Sequence, residues 1–574
     1  MDRRQFLIAA GKAGLFAAAA TALDACGTPA PTSALRSADA SARPLGSTPA
    51  GIGPASASGS VSPPIGSRTD THIAAENRRP GDRGWDLDGL PESSSTWVFA
   101  EAASVAAGDT LRLHVASHAP VNVAIYRFGW YGGAGGRRVH ETGPVPVAAA
   151  GPTAIDHDTG LAEPTGGAVV PIPVGPDWPS GLYAAVVHPM PRPVTRSEHS
   201  RGRSGPRGAG GPPDLRSVPA MTPFSVRGPG LGLTSPGGIG RAPVLFVSAA
   251  ATWQAYNVWG GADLYSASQS NAPRVTAGRR AVQVSFDRPH ALHHGAGLMP
   301  RWELDFVRWQ EREGRDVDYC ADVDLELHPE VVQGRRLILF VGHHEYWSRP
   351  MRATIELAIA SGTNVAFLSA DEMAWQIRLD ASPLGTGRRL TCYKSARLDP
   401  MATTKPELTT CHWRDPPVND PEATTIGQMY GHIVSRVADW VVADSGHWLY
   451  ESTGLRDGDR IRNLVGQEFD TFYPDLAPPG TAILARSPVV PQIRSPAPTP
   501  AASLAPLAPN LQTATAYVAE SGATVLAAGT FQWAWALDSF GDRSYLGTVT
   551  PLDERVARMT RNLFNRLGDG SAAT

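Results

Sequence analysis

Two short stretches hold most of the residues able to do chemistry. Leu337 to Trp347 reads LILFVGHHEYW: five apolar residues, Gly342, then His343, His344 and Glu345 without a break. Earlier, Thr252 to Gly261 reads TWQAYNVWGG, carrying Tyr256 and Asn257, and Leu264-Tyr265 follows. An imidazole pair beside a carboxylate is poor core material, because each polar group taken out of water needs a partner. It suits proton transfer at an active-site edge. Two phenols and a carboxylate converging on one crevice form a hard, anionic oxygen set, better matched to Fe³⁺ than to zinc. On spacing alone, tyrosines in an aromatic-rich turn are more often packing than ligands. A hydrogen-bonded strand cap is the plainer alternative for the histidines.

Positioning such groups requires strands that end at a crevice. Leu337–Val341 has the length and continuous apolar character of a buried parallel strand. Val244–Val247 and Asn364–Leu368 read the same way, and the latter runs into Asp371-Glu372. Between them, residues 349–360 show apolar positions three and four apart, closed by Gly362, which predicts a helix. Strand, polar edge, helix, glycine and strand is the rhythm of a doubly wound α/β domain, in which residues past the carboxyl ends of strands line the ligand crevice. Ahead of it, short alternating segments at 111–115, 121–126 and 182–187, set between Gly/Pro turns, predict a β-sandwich over 90–228. The α/β domain is expected over 242–570.

The rest of the chain bounds the answer. At 574 residues it is too long for one ordinary core, and 42% hydrophobic content with 15 Trp supports real ones. A net charge of −3 with no long basic block excludes nucleic acid as an expected partner. Arg3-Arg4-Gln5-Phe6-Leu7 and the alanine-rich run to Leu23 form a twin-arginine export signal over residues 1–26. Leu23-Asp24-Ala25-Cys26-Gly27 resembles a lipobox with Cys26 as the lipidated residue, so contact with a membrane is expected only through a lipid anchor. A periplasmic, cell-surface or secreted location follows. Residues 27–89 read as a disordered tether, and 192–216 and 495–509 as loops inserted into the fold. Among the other cysteines, Cys392 and Cys411 are placed to close a small loop, leaving Cys320 odd.

Several separate motifs resemble one family, the large (beta) subunit of N,N-dimethylformamidase. They are Thr252 to Gly261 with Leu264-Tyr265, Gly342 to Ser348, Thr391-Cys392-Tyr393-Lys394, and Gly529 to Trp535. In the front part, Tyr126 to Gly133 and Ser180 to Tyr183 carry it too. The resemblance implies a fold of α/β plus β class: an Ig-like sandwich, then a doubly wound domain similar to class I glutamine amidotransferase-like folds. It implies a mononuclear ferric centre held by Tyr256, Tyr265 and Glu345, with His343 as acid/base for amide hydrolysis. Asn257, Trp259 and His344 are then expected at the substrate. His344 stands where the family leads one to expect an acidic residue, and the small partner subunit has no trace in the chain. A small amide is the expected partner molecule, and a homo-oligomer is compatible.

Two other classes compete. A non-catalytic surface protein binding carbohydrate or another ligand would use Trp253, Trp259 and Trp347 as an aromatic platform. A cysteine-nucleophile amidotransferase needs a Cys on a sharp strand-to-helix elbow. Cys320 is followed by Ala321-Asp322 and offers no such elbow.

Overall fold

A computed structural model describes residues 71–92, 95–190, 218–235, 238–268, 280–492, 506–508 and 510–569. The export signal, Cys26, the tether to residue 70 and the insertion at 192–216 lie outside them, as does most of 495–509. The fold is mixed α/β, rich in strands, with several sheets and few helices.

Five parallel strands form the centre of a twelve-stranded sheet. In space they run Val317–Ala321, Val244–Ser248, Leu337–Gly342, Asn364–Ser369, Thr524–Ala527. Counted along the chain, that order is 2-1-3-4-5, which reverses between Val244–Ser248 and Leu337–Gly342. Ligands bind beyond the carboxyl ends of strands at such a reversal. Leu337–Gly342 is buried on both faces. Leu337, Leu339 and Val341 share a core with Phe306, Trp309 and Phe564, and Ile338 and Phe340 share one with Met351, Ile355 and Ala358. Helix Leu304–Arg312 and the helical turn Phe564–Gly568 supply the first set's partners, and helix Arg349–Ala360 the second's. Each large apolar side chain so buried contributes about 1.5–3 kcal/mol.

Local signals set the boundaries. Ser348 caps Arg349–Ala360 by accepting the Met351 N–H at 3.2 Å. Gly362 ends that helix at φ +92°, with Thr363 N–H to Ala358 O and Gly362 N–H to Ile359 O closing a Schellman turn. Gly342 turns the chain out of the sheet at φ +89°, where a Cβ would meet the Trp302 Cβ at 2.7 Å.

Part of the front continues the central sheet. Ala220–Arg227 joins Val317–Ala321 through the single pair Arg227–Tyr319, and Gly181–Pro189, Val121–Phe128 and Gly136–Glu141 continue the same sheet antiparallel. A three-stranded sheet of Trp97–Ala100, Thr110–Ala116 and Ala168–Pro173 packs on this extension. Val98, Leu113 and Val115 meet Val123, Ile125 and Phe224 there. The expected tether also ends earlier than residue 89. His72–Asn77 is a helix with Ile73 and Glu76 buried, and Trp85 and Leu87 are buried after it. Large apolar side chains set these residues apart from the Ala/Ser/Pro/Gly stretch before them, and their burial holds the segment down. Cys320, Cys392 and Cys411 are free, buried thiols, so the 392–411 loop is not closed by a disulfide.

Candidate metal centre

The site is assembled at the reversal point. Strand Val244–Ser248 passes into helix Ala250–Ala255, and Tyr256 caps it. Gly260 and Gly261, at φ +74° and +86°, fold the chain back. Asp263 Oδ1 then accepts the Tyr265 N–H at 2.8 Å. The buried Arg288 guanidinium pins the turn by donating to the carbonyls of Gln254, Asn257, Trp259 and Ala262. In consequence the Tyr265 ring stacks on Tyr256, with centroids 4.5 Å apart.

Strand Leu337–Gly342 delivers the other half. The Tyr256 hydroxyl donates to Glu345 Oε2 at 2.6 Å and the Tyr265 hydroxyl to Glu345 Oε1 at 2.6 Å, while the two phenol oxygens are 3.0 Å apart. The Glu345 backbone N–H is held by Thr252 Oγ1 at 3.0 Å. Trp375 Nε1 donates to Glu345 Oε1 at 2.8 Å, and the Tyr346 hydroxyl to the Tyr265 oxygen at 2.6 Å. The Lys394 ammonium sits 3.2 Å from the Tyr265 ring centroid, a cation–π contact.

His343 stands on the inner side. Its Nε2 lies 3.3 Å from Glu345 Oε2, 3.7 Å from Asp371 Oδ2 and 4.0 Å from Glu468 Oε2, and all four side chains are fully buried. Neither ring nitrogen makes a hydrogen bond among the described residues. Phe531 packs against the imidazole at 4.3 Å, and Trp302 stands edge-on at 6.5 Å. Burial raises the pKa of two acids behind the site. Burial, then the neighbouring Asp371, pushes Asp470 up to about 8; burial likewise raises Glu372 well above its usual range, with Asp470 and Asp371 adding to it.

Tyr256 and Tyr265 from one stretch, and His343 and Glu345 from another, therefore meet in one cluster. Three other expected site residues do not join it. The His344 ring turns to the opposite face, edge-on to Phe340 at 5.2 Å, and burial, with His343 beside it, pulls its pKa down to about 3. Asn257 is a loop staple: its amide donates to Gln254 Oε1 and Pro289 O, and its Oδ1 accepts from the Trp259 and Ala291 N–H groups. Trp259 is half-buried and borders a separate cavity of about 240 Å³ with Trp97, His290 and His294. No aromatic platform is presented, because Trp253 and Trp347 are buried and donate to Glu303 and to the His344 carbonyl. Cys320 lies within a strand, its thiol pushed well up by burial, which makes it a poor nucleophile.

Sequence reasoning assigned no role to Asp371, Glu468, Tyr346, Trp375 or Lys394. Asp371 carried a signal, since it follows the end of a buried strand as His343 does. Glu468 carried none, lying on a short antiparallel strand, Glu468–Thr471, far along the chain.

Two donor sets are available to a cation. One is Tyr256, Tyr265 and Glu345. The other is His343, Glu345 and Asp371, whose ligand atoms all lie within 4.8 Å of one another. A family model described as N,N-dimethylformamidase beta subunit-like, C-terminal, matches residues 122–546, well over half of the chain. No curated protein matches the chain.

Proposed function

The chain belongs to the N,N-dimethylformamidase beta subunit-like family, and from that membership and the Tyr256–Tyr265–Glu345–His343 cluster we propose that it is a hydrolase cutting the C–N bond of a small amide. One observation carries the reading: two phenol oxygens converge on the two oxygens of one carboxylate, at 2.6 Å each. Once their protons leave, these oxygens can close on a single ion, and hard anionic donors suit Fe³⁺. Tyr256, Tyr265 and Glu345 are thus assigned as the residues that hold a mononuclear ferric ion. When bound, iron supplies Lewis acidity to a carbonyl oxygen and acidifies water.

The remaining work falls to side chains of this protein. His343 Nε2 takes a proton from water as the water oxygen bonds to the carbonyl carbon. It returns that proton to the amide nitrogen as the C–N bond breaks. Asp371 and Glu468, within 4.0 Å of the same nitrogen, stabilise the imidazolium between the two transfers. Phe531 and Trp302 shield the ring from bulk water. His343 serves as acid/base here rather than as a ligand, because a metal-bound nitrogen cannot carry the proton.

Metal analysis and absorption spectroscopy test this reading. About one iron per chain is expected, with a visible phenolate-to-Fe³⁺ charge-transfer band that Tyr256→Phe removes. Stoichiometric zinc without a band would overturn the ligand assignment. Activity should be sought on small N-alkyl amides, formamide derivatives first.

The finer fold and address belong to the same proposal. The front is read as an Ig-like sandwich over 90–228, and the rear, over 242–570, as a doubly wound domain similar to class I glutamine amidotransferase-like folds. The 2-1-3-4-5 strand order supports the second half of that statement. The protein is exported by the twin-arginine route and anchored through Cys26. Arg3→Lys with Arg4→Lys should hold it in the cytoplasm, and Cys26→Ala should free it from membranes.

A further inference from the structure

The phenol of Tyr265 and the carboxylate of Glu345 each accept a hydrogen bond from an outer donor, Tyr346 and Trp375, and the two donors sit side by side. Strand Tyr346–Ser348 pairs in parallel with the start of Trp375–Ser382, in the register Tyr346–Trp375. That pairing sets the Tyr346 hydroxyl on the Tyr265 oxygen at 2.6 Å and the Trp375 indole N–H on Glu345 Oε1 at 2.8 Å. Tyr346 and Trp375 are buried donors and Glu345 is fully buried, which keeps competing water from the Trp375 bond, while the Tyr265 ring that Tyr346 braces is half-buried.

We propose that Tyr346 is a positioning residue that sets the donor strength of the Tyr265 phenolate, with Trp375 doing the same for Glu345. This rests on the iron reading above. The direction of the bonds is the argument. Hydrogen bonds run from Tyr346 to Tyr265 and from Tyr265 to Glu345. Binding a cation requires the Tyr256 and Tyr265 protons to leave, but not the Tyr346 proton, which already points at the Tyr265 oxygen. After loading, Tyr346 still donates to an oxygen that is now anionic. A charge-assisted bond of that kind draws electron density from the phenolate, and outer-shell donors tune metal sites in this way. Tyr265 is then the weaker of the two phenolate donors.

The experiment is spectroscopy of the iron-loaded full chain with Tyr346→Phe. The band should move to longer wavelength with iron content unchanged, because a phenolate freed of the hydrogen bond gives up its electron more easily. Resonance Raman of the wild-type chain gives a readout that needs no variant: one phenolate mode should shift on transfer into D₂O. A band and Raman mode that stay in place, with iron bound, overturn the role given to Tyr346. Loss of iron from a folded Tyr346→Phe chain also overturns it, by making Tyr346 a ligand. A wild-type chain with neither iron nor band overturns the iron reading itself and this proposal with it.

Discussion

Two buried polar clusters in this molecule solve the same problem in opposite ways. Where the front strands meet the rear, Arg127 donates to both oxygens of Glu311 at 2.7 and 2.8 Å, both side chains being fully buried. Tyr131, the Ser180 carbonyl and the Phe128 carbonyl also accept from its two terminal nitrogens, while its Nε has no hydrogen-bond partner among the described residues. Glu76 is matched in turn by Arg137 at 2.6 Å. Burial pulls the Arg127 guanidinium down, and the Glu311 carboxylate more than offsets it, so the group stays firmly charged. At the candidate site one imidazole faces three carboxylates instead. The first cluster is balanced by its own side chains and serves as a joint. The second gathers acid beyond what its imidazole can balance, the arrangement expected where a cation or a proton is handled.

The comparison can be broken at several points. His343→Ala has the largest expected effect: iron stays, and turnover of an accepted amide falls by about 10²–10⁴-fold. Equal loss of iron and turnover would make His343 a ligand. At the joint, Arg127→Met strands Glu311 without its guanidinium and should cost about 3–5 kcal/mol in chemical denaturation, with the absorption band of the folded protein unmoved. A neutral result would mean the network is not what couples front to rear. His290 separates burial from charge balance. Burial, with Arg288 beside it, pulls its pKa from 6.5 to about 3. The unfolded chain therefore takes up a proton between those values that the folded chain refuses. The stability this group contributes is full above pH 6.5 and is lost as pH falls towards 3, at up to about 1.4 kcal/mol per pH unit. His290→Phe should flatten that acid limb in a urea titration. Smallest of all, His344→Ala should leave iron and turnover within a few fold, since its ring packs on Phe340 away from the site.

The sequence revealed the central strands because Val244–Val247, Leu337–Val341 and Asn364–Leu368 are apolar on both faces and each runs into polar residues. It also pointed to the polar residues at their ends, Tyr265 among them, but not to how Tyr265 returns onto Tyr256, which depends on Gly260, Gly261 and Arg288. The shared sheet was invisible: Arg227 and Tyr319 pair across many residues, and nothing local marks either. Glu468 was hidden for the same reason. The helix His72–Asn77 has little local signal, since it adjoins an Ala/Ser/Pro/Gly-rich stretch and is held by the burial of Ile73, Trp85 and Leu87. His344 shows the limit of adjacency, since consecutive residues leaving a strand point to opposite faces.

The pair Arg227–Tyr319 has a practical consequence for anyone wishing to cut the protein in two. A chain begun at residue 242 would keep every residue assigned to the metal. It would also strip the cover from Val317–Ala321, a strand whose five residues are all buried, and offer its free backbone groups to other copies. Such a truncation should go into inclusion bodies or associate by its edge, and a soluble monomer would show that the front strands are dispensable.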